Sequence, residues 1–133
     1  MKYFLDTNII SYLLKGSLNV KQKITDLIMD GHSVHIPVVA YYESKRELLA
    51  TSAHTKLSTL QWFIQAFGII DITTKTFDIA STNWANLKST GLLIEDSDLF
   101  IGSSAVENNA ILITNNANHL SRIQNIQIEI WNF

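Results

Sequence analysis

Acidic side chains follow or interrupt several apolar segments of this chain, and they are the residues best suited to chemistry. Asp6 comes directly after the apolar run "YFL", Glu43 lies in "PVVAYYE", and Asp96 and Asp98 lie in "IEDSDLF". Carboxylates brought close together repel one another and raise each other's pKa, a conflict that a divalent cation removes. Oxygen ligands suit Mg²⁺ or Mn²⁺, which also bind phosphate oxygens. The acids therefore indicate metal-assisted hydrolysis of a phosphodiester.

A polar segment follows another apolar run. Thr114, Asn115 and Asn116 come directly after "AILI", a continuous apolar run typical of a central parallel strand. In an open parallel sheet, ligands bind outside the carboxyl ends of the strands, where the strand order switches. We therefore expect Asp6 and the 114–116 segment to lie at the same edge of a sheet.

Each acid also has an ordinary structural explanation. Asp6 taken alone suits the N-cap of a helix that starts just after it. Asp96 suits an N-cap, and Asp98 suits a first-turn position favoured by the helix dipole. Glu43 is equally explained as a solvated partner of Arg46. The functional interpretation rests on several acids falling at one predicted edge.

Apolar periodicity predicts strands that alternate with helices along the whole chain. The predicted strands are 2–5, 33–37, 69–72, 110–114 and 126–131. The predicted helices are 8–14, 20–29, 38–50, 56–67, 77–87 and 98–107, with Pro37 in the first turn of the third. This order predicts an α/β fold with a mainly parallel sheet, helices on both faces and the last strand at an edge.

Length and composition favour one compact domain over residues 1–133. The absence of cysteine excludes disulfides and zinc–thiolate sites, and fits a cytoplasmic protein. Ten Lys/Arg against twelve Asp/Glu leave a net charge of −2, so a nucleic-acid ligand would need local cations or a bound metal. No apolar run reaches membrane-spanning length, which predicts no membrane partner. The four histidines lack metal-type spacing and are predicted to be surface or loop residues.

Four segments together give the chain a family resemblance. They are "FLDTNIISYLL", "IPVVAYYES", "IEDSDLFIGSSAVENNAILITNN" and "IQIEIW". In their order and spacing the chain resembles the PIN-domain ribonucleases, and in particular the small VapC-type toxins of bacterial toxin–antitoxin pairs. The resemblance implies a single PIN-like domain, a three-layer α/β/α sandwich, and an acidic pocket that holds Mg²⁺ or Mn²⁺.

The resemblance assigns roles residue by residue. Asp6, Glu43 and Asp98 match the catalytic acids, and Asp6, Asp98 and Asp96 match the positions expected to hold metal. The matched supporting residues are Asn8, Thr114 and Asn116. Two departures from the family pattern stand out: Ser44 follows the mid-chain Glu where an apolar residue is usual, and Gly102-Ser103 replaces a pair of alanines. Gly inside a helix costs about 1 kcal/mol relative to Ala, which predicts close packing at that point.

The implied activity is endonucleolytic cleavage of RNA. Lys45 and Arg46, beside Glu43, are candidate phosphate contacts, although a solvated helix face also explains them. A small antitoxin and a homodimer are the implied protein partners. Two other classes remain open: a PIN-like module that binds RNA or protein without cutting, and a haloacid-dehalogenase-type phosphatase. The phosphatase would need a second Asp where this chain has Asn8.

Overall fold

The computed structural model describes residues 1–132, which form one sheet surrounded by helices. The strands are β1 (Lys2–Leu5), β2 (Ser33–Pro37), β3 (Ile69–Ile70), β4 (Ile111–Thr114) and β5 (Gln127–Ile130). The helices are α1 (Thr7–Leu14), α2 (Leu18–Met29), α3 (Val38–Ala50), α4 (His54–Phe67), α5 (Thr74–Ser89) and α6 (Asp96–Glu107), and a 3₁₀ turn spans Leu120–Arg122. Strands therefore alternate with helices, as the periodicity predicts.

The sheet has the order β3-β2-β1-β4-β5, and every pairing among the described strands is parallel. In the central strand β1, Phe4 lies opposite His35 of β2 and Leu112 of β4. Phe4 and Leu112 are fully buried, as a strand covered on both faces requires. The predicted mainly parallel sheet with β5 at an edge is confirmed.

The connections place helices on both faces of the sheet. From β1 through β2 to β3 the chain moves one way across the sheet, and it passes through α1 to α4. It then crosses back to β4 through α5 and α6. Because connections between parallel strands are right-handed, this reversal places the two groups of helices on opposite faces. α5 packs along α6, while α1 contacts α2, α3 and α4, and the fold has three layers.

The strand order switches next to β1. The chain leaves β1 for β2 on one side, and β4 fills the other side. The backbone N–H of Asp6 donates to the carbonyl of Ile113 at 2.9 Å, so the segments that follow β1 and β4 begin side by side. The crevice expected at the carboxyl ends of these two strands is therefore where the sequence places its polar residues.

Several predicted boundaries are wrong by one to three residues, and three differences have a local reason. The strand predicted over 69–72 is only Ile69–Ile70, because the chain turns at an exposed Asp71. Helix α6 begins at Asp96 rather than 98, and Glu95 is its N-cap. Pro37 ends β2 with extended backbone angles and precedes the first turn of α3 instead of lying in it.

The close packing predicted at Gly102 is confirmed. A Cβ built on this residue would lie 2.2 Å from Cδ1 of Ile123 and 3.2 Å from Cδ1 of Ile126. Gly102 and Ile123 are both buried, so the loop that follows β4 packs directly on the α6 backbone. The missing side chain therefore lets this loop approach the helix that carries Asp98.

Within residues 1–132, no helix is both long enough and apolar enough to cross a lipid bilayer.

Candidate active site

Asp6 is both a helix cap and the most enclosed acid of the crevice, with 6% of its surface exposed. Its Oδ1 accepts a hydrogen bond from the backbone N–H of Thr7 at 2.8 Å, which makes Asp6 the N-cap of α1. Its Oδ2 accepts from Oγ1 of Thr114 at 2.8 Å and from Nδ2 of Asn8 at 3.2 Å. The same carboxylate therefore caps α1 and lies in the crevice, so the two interpretations of Asp6 are compatible.

The pKa of Asp6 is raised above its ordinary value. Burial is the largest cause, because the carboxylate loses its hydration. The hydrogen bonds from Thr114 and Thr7 stabilise the ionised form and oppose the shift, while the nearby Glu43 carboxylate adds to it. A buried acid that is both held by donors and repelled by a second acid is suited to receive a cation.

Glu43 reaches this crevice from α3. Its Oε1 accepts from Oγ1 of Thr7 at 2.7 Å, and its Oε2 lies 3.7 Å from Nη2 of Arg46. Thr7 therefore touches Asp6 through its backbone and Glu43 through its side chain. Glu43 is a partner of Arg46, as the ordinary explanation holds, and a member of the acid cluster as well.

Asp98 enters from the first turn of α6, with 28% of its side chain exposed. Its pKa is raised, first by burial and then by repulsion from Asp6, with smaller contributions from Glu43 and Glu95. His119 opposes this shift: its Nδ1 lies 3.7 Å from Oδ2 of Asp98. Asp6, Glu43 and Asp98 consequently all act on one another across the crevice.

Asp96 is placed differently from Asp98. It is exposed, and it lines the outer groove that also holds Glu43 and Glu95. The interpretation of Asp96 as an N-cap is wrong, because Glu95 holds that position. N-cap and N3 side chains face each other at a helix start, so Glu95 rather than Asp96 approaches Asp98. Sequence reasoning missed Glu95, because its role depends on where α6 begins, and that start was predicted at 98 instead of 96.

The segment after β4 supports the crevice from its other side. Thr114 is fully buried and receives a hydrogen bond from Nδ2 of Asn8 at 3.2 Å while it donates to Asp6. Asn115 donates from its backbone to Oδ1 of Asn8 at 3.2 Å, a contact that the sequence did not predict. Asn116 is exposed, and its Oδ1 accepts from the backbone N–H of Asn118 at 3.1 Å. Asn116 therefore shapes the loop without touching Asp6.

The two candidate phosphate contacts separate in the structure. Arg46 lines the outer groove and places its guanidinium over the ring of Tyr42, 5.0 Å from the centroid. Lys45 instead donates from Nζ to the hydroxyl of Tyr41 at 2.9 Å on its own helix. Arg46 alone of this pair is brought to the acids.

The structure also shows the positions of Ser44 and His119. Ser44 is buried in α3, and its hydroxyl has no hydrogen-bond partner within residues 1–132. His119 is an exposed loop residue, as predicted, but its pairing with Asp98 was not foreseen. That contact depends on how the 115–122 loop returns over α6.

The acids fit a divalent ion in donor chemistry and charge. No three acidic or histidine side chains in the described part of the chain are drawn together closely enough to form a ready-made metal cage. Mg²⁺ usually keeps several waters and binds through one or two carboxylates. Three mutually repelling carboxylates, two of them with raised pKa, match that mode of binding.

Comparison with known proteins identifies the family. A PIN domain model matches residues 3–126, and the chain belongs to the PIN domain family. Ribonuclease VapC2 of Rickettsia felis is 29% identical over 132 residues, which is 98% of each chain.

Solved structures agree with this assignment. A chain of the Rickettsia felis VapBC2 complex bound to a promoter DNA fragment is 28% identical and superposes with a TM-score of 0.92, covering 99% of this chain and 100% of that one. A chain of VapBC-1 from nontypeable Haemophilus influenzae is 26% identical, with a TM-score of 0.86 and 98% coverage of each chain. The three-layer sandwich implied by the resemblance is confirmed.

Proposed function

We propose that this chain is a divalent-metal-dependent endoribonuclease and the toxin of a toxin–antitoxin pair. The observation that supports it most is the convergence of Asp6, Glu43 and Asp98 at the carboxyl edge of β1 and β4. Membership of the PIN domain family and likeness to ribonuclease VapC2 point to RNA as the polymer.

Asp6 and Asp98 are the proposed principal ligands of the ion, which is Mg²⁺ or Mn²⁺. Asp96 remains a candidate ligand, and Glu95, whose charge raises the pKa of Asp98, is a second one. When bound, the ion would activate the attacking water and stabilise negative charge that develops on the phosphate. Glu43 completes the acidic set and is proposed to orient water beside the phosphate.

The other side chains hold these acids in place. Thr114 and Asn8 donate to Asp6 and fix the direction of its free lone pairs. The Thr7 hydroxyl orients Glu43, while Arg46 balances its charge. Asn116 acts indirectly, through the loop that carries Thr114. A cluster of buried carboxylates needs such donors, because an unpaired buried charge is costly.

A small antitoxin is the proposed protein partner, since the similar chains were solved as VapBC complexes. It would act by covering the crevice. A homodimer and a cytoplasmic location also remain proposals. The cheapest observation is a short open reading frame beside the gene whose product relieves growth arrest.

The test combines cleavage with metal binding. Purified protein is incubated with structured RNAs in Mn²⁺, Mg²⁺ or EDTA, and wild type is compared with Asp98→Asn. We expect cleavage only with metal, and a loss on the order of 10²-fold in the variant. Metal at about 100 times its dissociation constant should add about 2.7 kcal/mol to the free energy of unfolding of the wild type alone.

Asp30→Asn is the matched control, because Asp30 is exposed at the end of α2, outside the acid cluster. Cleavage that persists in EDTA, or full activity in Asp98→Asn, would contradict the proposal. Metal-dependent stabilisation without RNA cleavage would favour the binding-module alternative, and turnover of para-nitrophenyl phosphate would favour the phosphatase.

A further inference from the structure

A second groove shares Glu43 and Arg46 with the outer groove. It has a volume of about 440 Å³ and is bounded by α1, α3 and the start of α4. Thr7 and Glu43 lie at its inner end, so it is continuous with the proposed catalytic crevice. We call it the basic groove because Lys15, Arg46 and Lys56 line it.

The charges along the basic groove leave an excess of one positive charge, and neither of its lysines is paired among the described residues. Its acids are Glu43 and Glu47, and Glu43 is paired with Arg46. Lys15 and Lys56 are exposed, and within residues 1–132 neither ammonium has an ion pair or hydrogen bond. In a chain of net charge −2, such a local concentration of free cations beside an acidic crevice calls for an explanation.

Helix stability does not explain the position of Lys56. It lies in the first turn of α4, where the helix dipole disfavours a positive charge. That turn contains no acidic residue, and no side chain of the described residues caps it. The N-terminal N–H groups of α4 and the Lys56 ammonium therefore add their positive potentials at the same end of the basic groove. Lys15, by contrast, caps the end of α1, where the dipole favours a cation.

We propose that the basic groove binds a backbone phosphate of the RNA strand adjacent to the phosphate that is cleaved. Lys15 and Lys56 make the contact, and Arg46 lies at the junction with the acid cluster. RNA is favoured over an acidic peptide because the groove ends at Thr7 and Glu43, beside the acids where the proposed function places the cleaved phosphate. This inference rests on the proposed ribonuclease function.

The test measures how RNA affinity depends on salt, because each phosphate contact releases counterions. Binding of a short, fluorescein-labelled, mixed-sequence single-stranded RNA is followed by anisotropy in EDTA, which prevents metal-dependent cleavage. The test variant is Lys15→Gln/Lys56→Gln. Its control, Lys21→Gln/Lys75→Gln, makes the same charge change at exposed lysines outside the groove.

Loss of a contact should lower the slope of log K against log salt by about 0.7 for each lysine, and only in the groove variant. Equal slopes in the groove variant and the control would overturn the inference, as would a wild type whose RNA binding is independent of salt. Thermal unfolding midpoints equal to that of the wild type establish that both variants are folded.

Cleavage is assayed separately, which distinguishes the two proposals. If the wild type cleaves RNA and both variants bind it alike, the basic groove is not a phosphate site and the ribonuclease proposal stands. If the groove variant alone loses affinity while no protein cleaves RNA, the chain binds RNA without cutting, and the proposed function fails instead.

Discussion

At the scale of single residues, the crevice holds carboxylates that repel one another. Asp6 and Asp98 are held partly buried within range of each other and of Glu43, and the pKa of both aspartates is raised. The folded protein thus tolerates repulsion that the unfolded chain escapes. Such a trade of stability for a charged site is common where function requires it.

Asp98→Asn should stabilise the metal-free protein at about pH 7, where an ordinary aspartate is ionised. Because the pKa of Asp98 is raised in the folded state, folded protein binds a proton there that the unfolded chain has already released. The free energy of unfolding of the wild type therefore falls as pH rises from the ordinary pKa of an aspartate, about 3.9, through the raised pKa of the folded state. Thermal unfolding in EDTA should show a higher midpoint for the variant near pH 7, and a difference that shrinks towards about pH 4.

Asp98→Asn is preferable to Asp6→Asn in this measurement. The Asp6 oxygens accept three hydrogen bonds, so an amide nitrogen there would face a donor. A midpoint for Asp98→Asn below that of the wild type near pH 7 would contradict the electrostatic argument.

Thr114→Val should shift the acid limb of the pH–activity profile to higher pH. The Thr114 hydroxyl lowers the pKa of Asp6, and valine removes that donor while it keeps the shape. It also leaves Asn8 short of a partner, so a stability loss of about 1–3 kcal/mol is expected. Thr114→Ser, which retains the hydroxyl, is the control. An unchanged pH profile in Thr114→Val would mean that Thr114 is only structural.

At the scale of elements, Gly102 lets the loop that follows β4 pack directly on the backbone of α6. Gly102→Ala should lose up to about 2 kcal/mol, because overpacking costs about 1–3 kcal/mol and the gain in helix propensity returns about 1 kcal/mol. Its Cβ would overlap Cδ1 of Ile123, whereas Cγ1 of that residue lies at 3.6 Å. Ile123→Val removes only the overlapping atom and should cost about 0.5–1.5 kcal/mol.

The double variant Gly102→Ala/Ile123→Val should be more stable than the sum of its single changes predicts. Valine at 123 removes the 2.2 Å overlap and leaves only the 3.2 Å contact with Cδ1 of Ile126, so the coupling should be about 1 kcal/mol in urea unfolding experiments. Additive single changes would show that the loop moves away instead of resisting the new atom.

Predictability differs between the elements and their ends. Five strands and six helices follow from apolar periodicity, although β3 is shorter than predicted, since burial leaves a clear trace in sequence. Helix ends depend on caps: α5 starts at Thr74 because Thr73 and Thr76 form a capping box, a signal that periodicity does not carry.

Within the site, too, the residues beside buried apolar segments are predictable and those that depend on local structure are not. Asp6, Glu43 and Asp98 are predictable because they interrupt or follow buried apolar segments. Glu95 and His119 are not, because one depends on the phase of α6 and the other on the path of a loop.

At the scale of the whole molecule, the order β3-β2-β1-β4-β5 brings distant segments together. Thr114 reaches Asp6 across 108 positions of sequence, and Thr7 reaches Glu43 across 36. The contact of Thr114 with Asp6 forms only when β4 inserts beside β1. Because contacts that close long loops carry an entropic cost, we expect the complete crevice to form only together with the sheet.

That arrangement has a consequence for synthesis on the ribosome. Chains grow from the N-terminus, so Asp6 and Glu43 emerge well before Asp98 and Thr114 are translated. Until β4 is released, the nascent chain has neither the donor that holds Asp6 nor the acid that opposes it. For the proposed ribonuclease, made amid ribosomes and messenger RNA, the crevice is completed only after β4 has left the ribosome, and activity is delayed until then.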